Sequence, residues 1–297
     1  MVKGPDATHS AALHEMVAEI HGKAELAWRR WDVVNREEIY HYTSIDAAYN
    51  ILSDRLLWSS DVLSMNDGSE FRYAVSIVDE VLMSGWNRLP IQLAEYFRPK
   101  KLLRIGSTWD MFAVSFCSEP DLLSQWRAYA SDSRGVAIGF HLRQLHEFGQ
   151  ASNEFALVPI QYAATELRDE ARQMCDFAVQ LADSRALPYN EHEVFWSEVA
   201  LMLLNFSIRF KNPSFAEERE WRTLSLNTDG SAVFRRGTGA KERRYVHVHF
   251  HPEIVSQVVV GPLAEANVEA RLRQFLDDHG LRHVLVRRSV IPLKAPS

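Results

Sequence analysis

Apolar residues recur at spacings of three and four in two long parts of the chain, which predicts amphipathic helices there. The first part covers residues 11 to 33, and the second covers residues 163 to 210 with a break at Pro188. Shorter helices are predicted over residues 70 to 83, 90 to 103, 122 to 129 and 264 to 279. Ser44 precedes another apolar-periodic run and is expected to cap a short helix.

The first of these helices has its apolar face at Leu13, Val17, Ile20, Ala24, Ala27, Trp28 and Trp31. Shorter apolar or alternating runs predict strands over residues 38 to 42, 56 to 59, 111 to 116, 135 to 140, 221 to 226, 245 to 250, 255 to 260 and 283 to 287. A polar turn is expected at residues 66 to 69. The order of elements predicts an α+β fold with mixed, mostly antiparallel sheets and peripheral helices.

The predicted organisation is an N-terminal helical extension, residues 1 to 37, followed by a single α+β domain, residues 38 to 297. The helical stretch at about residues 163 to 210 interrupts that domain as an insertion. With 46% hydrophobic and 24% charged residues among 297, the chain is an ordinary globular protein.

The net charge of −6 argues against a surface built wholly for phosphate backbones, although a local basic patch remains compatible with it. Cys117 and Cys175 lie far apart, so neither a disulfide framework nor a zinc knuckle is indicated, and both are expected to be reduced and buried. Without a signal-like start or a long apolar window, a cytoplasmic protein with no membrane partner is expected.

Residues 40 to 44 place an imidazole, two hydroxyls and a capping serine where a strand gives way to a helix. Such a junction exposes backbone N–H groups and suits an anionic or sugar-bearing ligand. The alternative is a hydrogen-bonded structural histidine and an ordinary helix cap. Residues 124 to 129 combine Trp126, Arg127 and Tyr129, which can stack on a ring and bind a phosphate, or can belong to the core.

Glu218, Glu220 and Arg222 are expected on one side of a strand, since side chains alternate along it with a period of two. Paired carboxylates beside an arginine can stabilise a developing cationic carbon while the arginine orients one of them. The alternative is a solvated, salt-bridged strand end.

Two further patterns lie in the C-terminal third of the chain. His247, His249 and His251 share one strand face, where they form either a polar outer surface or, less readily, part of a metal site. A hairpin loop carries basic residues that are either solvated or in contact with nucleic-acid phosphates. These residues are Arg235, Arg236, Lys241, Arg243 and Arg244.

The order of short motifs between residues 38 and 290 resembles a bacterial family of domains of unknown function, number 2971. The motifs occupy residues 40 to 44, 57 to 59, 65 to 71, 115 to 117, 123 to 129, 135 to 140, 218 to 222 and 260 to 262. More remotely, that family is similar to the ADP-ribosyltransferase superfamily, whose first strand also ends in a histidine-x-threonine motif. This resemblance implies an ADP-ribosyltransferase-like fold and NAD as substrate, with no metal.

The resemblance also implies roles for individual residues. His41 and Thr43 would hold a ribose of NAD, Arg127 or Tyr129 would contact the dinucleotide, and Glu220 would be the catalytic residue. The complete set of expected ligand-binding residues is His41, Tyr42, Thr43, Ser44, Ser59, Trp126, Arg127, Tyr129, Glu218 and Arg222.

Three functions follow as hypotheses. The first is an NAD-dependent ADP-ribosyltransferase, of the kind found in toxins or phage-defence effectors, that modifies a nucleic-acid or protein acceptor. The second is a sensor that binds a nucleotide or another small molecule in the same pocket without turnover, and the third is a nucleic-acid-binding module. The first requires His41 and Glu220 to face one cleft, within about 10 Å of each other, so that both grip one ribose-sized ligand.

Overall fold

The computed structural model describes residues 9–29, 37–62, 68–84, 110–152, 154–185, 187–226, 233–238 and 242–294. Three predictions concern residues outside this part of the chain. They are the helix over residues 90 to 103, the start of the turn at residues 66 and 67, and the apolar position Trp31. Ala27 and Trp28 lie in a described helix, but their side chains are not described.

The described helices follow the predicted order closely. They are α1 (Ala11–Arg29), α2 (Ile45–Asp54), α3 (Gly68–Ser84), α4 (Leu123–Tyr129), α5 (Leu142–Ser152), α6 (Ala164–Ser184), α7 (His192–Ile208) and α8 (Val268–Asp278). The predicted helical residues Leu13, Val17, Ile20 and Ala24 are all buried, which confirms the apolar face of α1. Helix α5 was not predicted, although Leu142 and Leu145 bury one side of it.

The strands are β1 (Glu38–Thr43), β2 (Leu56–Asp61), β3 (Met111–Cys117), β4 (Val136–His141), β5 (Ala156–Pro159), β6 (Glu220–Leu226), β7 (Phe234–Arg236), β8 (Arg243–His249), β9 (Val255–Val260) and β10 (Leu285–Arg288). They form one open sheet in the order β10-β9-β4-β1-β3-β2-β8-β7, to which β6 and β5 are joined through β3. Only the pair of β9 and β10 is parallel among the described pairings, so the sheet is mostly antiparallel, as predicted.

The chain divides into two compact units. One gathers residues 1–31, 65–109 and 160–215, and its described helices are α1, α3, α6 and α7. Helices α1 and α3 both pack against α6 and α7. Most of α7 is buried, including Phe195, Leu203 and Phe206, so this helix forms the centre of the helical unit. The other unit contains residues 32–64, 110–159 and 216–297, with the sheet and the remaining helices.

The two faces of the sheet in the second unit carry different side chains. One, here called the helix-covered face, contributes residues such as Ile39, Phe116 and Trp221 to a core completed by α2, α5 and α8. The opposite face, here called the tyrosine face, carries Tyr40 and Tyr42, which pack with other buried residues of that side. These residues include Cys117, Trp126 of α4, Ala137 and Val259.

Both cysteines are free thiols, as predicted. Cys117 is buried on the tyrosine face, and this burial raises the pKa of its thiol to about 12. Cys175 in α6 is only partly buried. The prediction that both cysteines are buried is therefore wrong for Cys175.

The connection from α4 to β4 is a tight left-handed turn. Ser131, Asp132 and Ser133 have φ values of 49°, 50° and 70°, a conformation that L-residues seldom adopt consecutively. Gly135 closes the turn where its backbone approaches the end of β1, because a Cβ atom there would lie 2.1 Å from the carbonyl oxygen of Thr43. The turn therefore depends on glycine at this position.

Replacing Gly135 with alanine should destabilise the protein by about 3 kcal/mol or more, because the obstructing atoms belong to the backbone and cannot move aside cheaply. Chemical denaturation would measure the change in the free energy of unfolding. Gly22→Ala in α1 is the matched control: no atom lies within 4 Å of its added Cβ. It should be neutral or stabilise by up to about 1 kcal/mol. Equal effects at both positions would contradict the packing argument.

Candidate functional site

The strand register places His41 and Glu220 on opposite faces of the sheet. Tyr40 pairs with Cys117 on β3, and Cys117 pairs with Glu220 on β6, so these three side chains share the tyrosine face. His41 follows Tyr40 and therefore points to the helix-covered face, where its ring contacts Phe116 edge-on at 5.9 Å between centroids. The expectation that His41 and Glu220 face one cleft is wrong.

His41 has a structural partner in the neighbouring strand. Its Nδ1 lies 3.0 Å from the carbonyl oxygen of Ser115, which can only accept, so Nδ1 carries the proton. Loss of hydration lowers the pKa of the imidazole, and the hydrogen bond to Ser115 opposes this only in part. His41 is thus a neutral imidazole at pH 7, in keeping with the structural alternative raised from the sequence.

Thr43, Ser44 and Ser59 were expected to bind a ligand, and the structure places them in different surroundings. The Ser44 Oγ accepts a hydrogen bond from the Ala47 N–H at 3.1 Å, which confirms the predicted helix cap of α2. Thr43, two residues after His41, points to the helix-covered face and is partly buried. Ser59 of β2 is completely buried, so a dissolved ligand has no direct access to it.

Tyr42 and Trp126 form a buried pair on the tyrosine face. Their rings meet edge to face with centroids 4.8 Å apart. The Tyr42 hydroxyl donates to the Glu119 carbonyl at 2.8 Å and accepts from the Leu122 N–H at 3.0 Å. Trp126 is fully buried, and its Nε1 donates to Asp121 Oδ1 at 2.6 Å. Both aromatic residues hold α4 on the sheet, so the core alternative for Trp126 is the better one.

Glu220 and Arg222 form a buried ion pair at the start of β6. Arg222 Nε donates to one carboxylate oxygen at 2.6 Å, and Nη2 donates to the other at 3.0 Å. Each residue is only 5% exposed. The sequence-based expectation that an arginine orients one of the carboxylates is met for this pair.

Glu218 does not belong to the strand. It ends a 3-10 helix, Pro213–Glu218, and Arg219 after it has a φ of 47° in the left-handed region. The predicted period of two therefore holds for Glu220 and Arg222 but does not extend to Glu218. Glu218 is instead brought to α4, where the Tyr129 hydroxyl lies 3.4 Å from its Oε1.

Two exposed segments thus meet beside the buried ion pair. Tyr129 is 39% exposed, and Arg219 donates to Glu119 Oε1 at 2.7 Å across a sequence separation of 100 residues. We call Glu119, Tyr129, Glu218 and Arg219 the Tyr129–Glu218 surface. The side chain of Arg127 in α4 is exposed as well.

Glu119 and Arg219 were not predicted as site residues. The contact between them depends on the pairing of β3 with β6, because Ser118 N–H donates to the Arg219 carbonyl directly after the last paired residues. An acidic residue after one strand and a basic residue before another carry no local signal of their meeting. Only a prediction of the strand pairing would have found them.

Comparison with known proteins finds one family model that matches part of the chain. Residues 125–223 match the family model described as "Protein of unknown function (DUF2971)", which confirms the predicted resemblance over about a third of the chain. This segment contains Trp126, Tyr129, Glu218, Glu220 and Arg222. No curated protein and no solved structure matches the chain.

Membrane spans and metal sites were also considered for the described residues. None of the helices in the described ranges is long and apolar enough to cross a membrane. Among the same residues, no three histidine, cysteine, aspartate or glutamate side chains come together in a way that would hold a metal ion.

Replacing Glu220 with glutamine should lower the free energy of unfolding by about 3 kcal/mol, because it leaves the buried Arg222 charge facing a neutral amide. Urea denaturation at neutral pH measures the effect. Glu217→Gln, an exposed carboxylate three residues earlier, is the matched control and should change stability by less than about 0.5 kcal/mol. Wild-type stability of Glu220→Gln would show that the ion pair has no structural role.

Acidification should destabilise the protein partly through His41. The unfolded chain takes up a proton on this imidazole near its ordinary pKa of 6.5, whereas the folded protein resists protonation until a lower pH. Stability is therefore expected to fall as the pH drops below 6.5, by at most about 1.4 kcal/mol per pH unit for one proton. In His41→Gln, denaturation midpoints between pH 7 and pH 5 should change less steeply, with His283→Gln at an exposed position as the matched control. Equal slopes in wild type and His41→Gln would contradict the assignment.

Proposed function

We propose that the protein binds a nucleotide at the Tyr129–Glu218 surface and does not turn it over. The observation that carries this proposal is the meeting of an exposed phenol and a carboxylate from distant parts of the chain, 3.4 Å apart. A carboxylate accepts hydrogen bonds from both hydroxyls of a ribose, and a tyrosine ring stacks on a planar base. These are the two neutral parts that all nucleotides share.

Positive charge near this surface favours the phosphate part of such a ligand. Arg219 is paired with Glu119 but remains about half exposed, and Arg127 lies exposed on α4. A guanidinium group binds a phosphate through parallel hydrogen bonds. We therefore expect the phosphates to lie toward Arg219 or Arg127, with the ribose at Glu218.

Binding without turnover fits the state of Glu220 better than transfer chemistry does. A carboxylate that stabilises an oxocarbenium-like carbon must face the sugar with its negative charge available. Glu220 is buried, and its charge is balanced by a guanidinium that contacts both oxygens. His41, which the transferase hypothesis expects to hold the same ribose as Glu220, points to the other face of the sheet.

The test is ligand binding by the full-length protein. Isothermal titration calorimetry should show saturable binding of at least one of four ligands, which are AMP, ATP, ADP-ribose and NAD. NAD is included because of the resemblance to ADP-ribosyltransferases. Tyr129→Leu should weaken that binding about 5- to 100-fold, because it removes the ring that stacks on the base. Glu218→Gln should weaken it about 10-fold or more, since the lost acceptor is charged, while the exposed neighbour Glu217→Gln should bind like wild type.

Three outcomes would overturn the proposal. If none of these nucleotides binds, or if both site variants bind like wild type, the Tyr129–Glu218 surface is not a nucleotide site. If NAD releases nicotinamide with the wild type but not with a folded Glu220→Gln variant, the protein is an enzyme, and the transferase hypothesis replaces the binding hypothesis.

A further inference from the structure

Aromatic side chains form an exposed layer at the other end of the sheet. On β7 and β8, Phe234 pairs with Tyr245, and His247 of β8 pairs with Trp58 of β2. Paired residues share a face, and side chains alternate along β8, so all four rings lie on one side of these strands. The pairing of Ser60 with Ala113 makes that side the tyrosine face, because Ala113 and Cys117 are four residues apart on β3.

Three pairs of these rings lie close to parallel. Trp58 stacks on Tyr245 with centroids 4.4 Å apart and planes 18° apart, and Phe234 stacks on His247 at 4.2 Å and 18°. Phe234 and Tyr245 lie 5.5 Å apart with planes at 24°. We call Trp58, Phe234, Tyr245 and His247 the aromatic platform.

The platform is open to solvent. Trp58 is 45% exposed and Phe234 is 38% exposed. Scattered single apolar side chains are normal on protein surfaces, but a contiguous group of stacked rings marks an interaction surface. The rings are pre-arranged, so a partner that stacks on them does not have to order them first.

Arginines border the platform on the same side. Arg236 and Arg243 are directly opposite each other on the two hairpin strands, on the side of Phe234 and Tyr245. The Arg236 guanidinium lies over the Trp58 ring at 5.3 Å from its centroid. Arg235 pairs with Arg244 and points to the opposite side of the hairpin, and its side chain forms an ion pair with Glu242.

Arg244 is the most strongly paired arginine described in the hairpin. It points to the opposite side, where it forms ion pairs with Asp61 at 3.2 Å and with Asp110. Of the basic residues singled out in the sequence, Arg236 and Arg243 therefore lie on the platform's side of the hairpin. Lys241 lies outside the described residues.

We infer that the aromatic platform and its bordering arginines bind single-stranded nucleic acid. Unpaired bases stack on exposed aromatic rings with little sequence preference, and arginines beside the rings bind the phosphates. The Arg236 guanidinium stacks on Trp58 where a base would stack, so an arriving base displaces it toward the sugar-phosphate chain. A duplex keeps its bases inside and offers the rings no comparable surface.

This site is independent of the proposed nucleotide site, since the two share no residue. Fluorescence anisotropy with labelled 20-nucleotide oligo-dT and oligo-U, and with a duplex of equal length, tests it at 50 and 200 mM NaCl. The wild type should bind the single strands more tightly than the duplex and more weakly at the higher salt concentration. The two single strands distinguish DNA from RNA as the preferred ligand.

Variants then separate stacking from charge. Trp58→Leu and Phe234→Leu should each weaken single-strand binding about 5- to 100-fold, whereas Trp58→Phe keeps a ring and should retain more of it. Arg236→Gln and Arg243→Gln should each reduce the slope of log K against log salt by about 0.7. Arg271→Gln, an exposed arginine on α8, which covers the opposite face, is the control and should bind like wild type.

The inference is overturned by any of three results. These are no binding of either single strand at 50 mM NaCl, tighter binding of the duplex, and wild-type binding by Trp58→Leu and Phe234→Leu. Size-exclusion chromatography adds a further outcome: a wild-type dimer that becomes a monomer in Trp58→Leu would show that a second copy of the chain covers the platform instead. The Glu218→Gln variant should bind single strands like wild type, which keeps this test separate from that of the nucleotide site.

Discussion

Strand β3 is the neighbour that β1, β2 and β6 have in common, and its register decides which side chains in this unit can meet. Its full length pairs with β6, while its two ends pair with β1 and β2. Through Cys117 it places Tyr40 and Glu220 on one face, and the alternation along each strand then assigns every other side chain to a face. If β1 or β6 were shifted by one residue against β3, the side chains of the shifted strand would point to the other face of the sheet.

This constraint explains why residues with similar chemistry have different roles. His41, Tyr42 and Trp126 all carry polar groups suited to a ligand, yet each is turned into the structure and bonded to a neighbour. Tyr129 and Trp58 have the same kind of side chain but remain exposed. Burial at these positions, and not residue type, separates the residues that hold the sheet together from those open to a ligand.

Local structure was largely predictable here because it depends on neighbouring residues. The capping serine, the apolar face of α1 and most strand positions followed from periodicity and from the chemistry of helix ends. Helix α5 escaped prediction because only one narrow side of it is apolar. At Glu218 the period of two failed, since a left-handed residue at Arg219 separates it from the strand.

The amino-acid pattern by itself determined the order and type of the elements, because periods of two and of three to four residues record which side of each element is buried. The tertiary structure alone decided which candidates share a face. It separated His41 from Glu220, joined Tyr129 to Glu218, and assembled Trp58 with Phe234. The physical reason is that strand pairing connects residues distant in the chain, and their register depends on packing over the whole sheet.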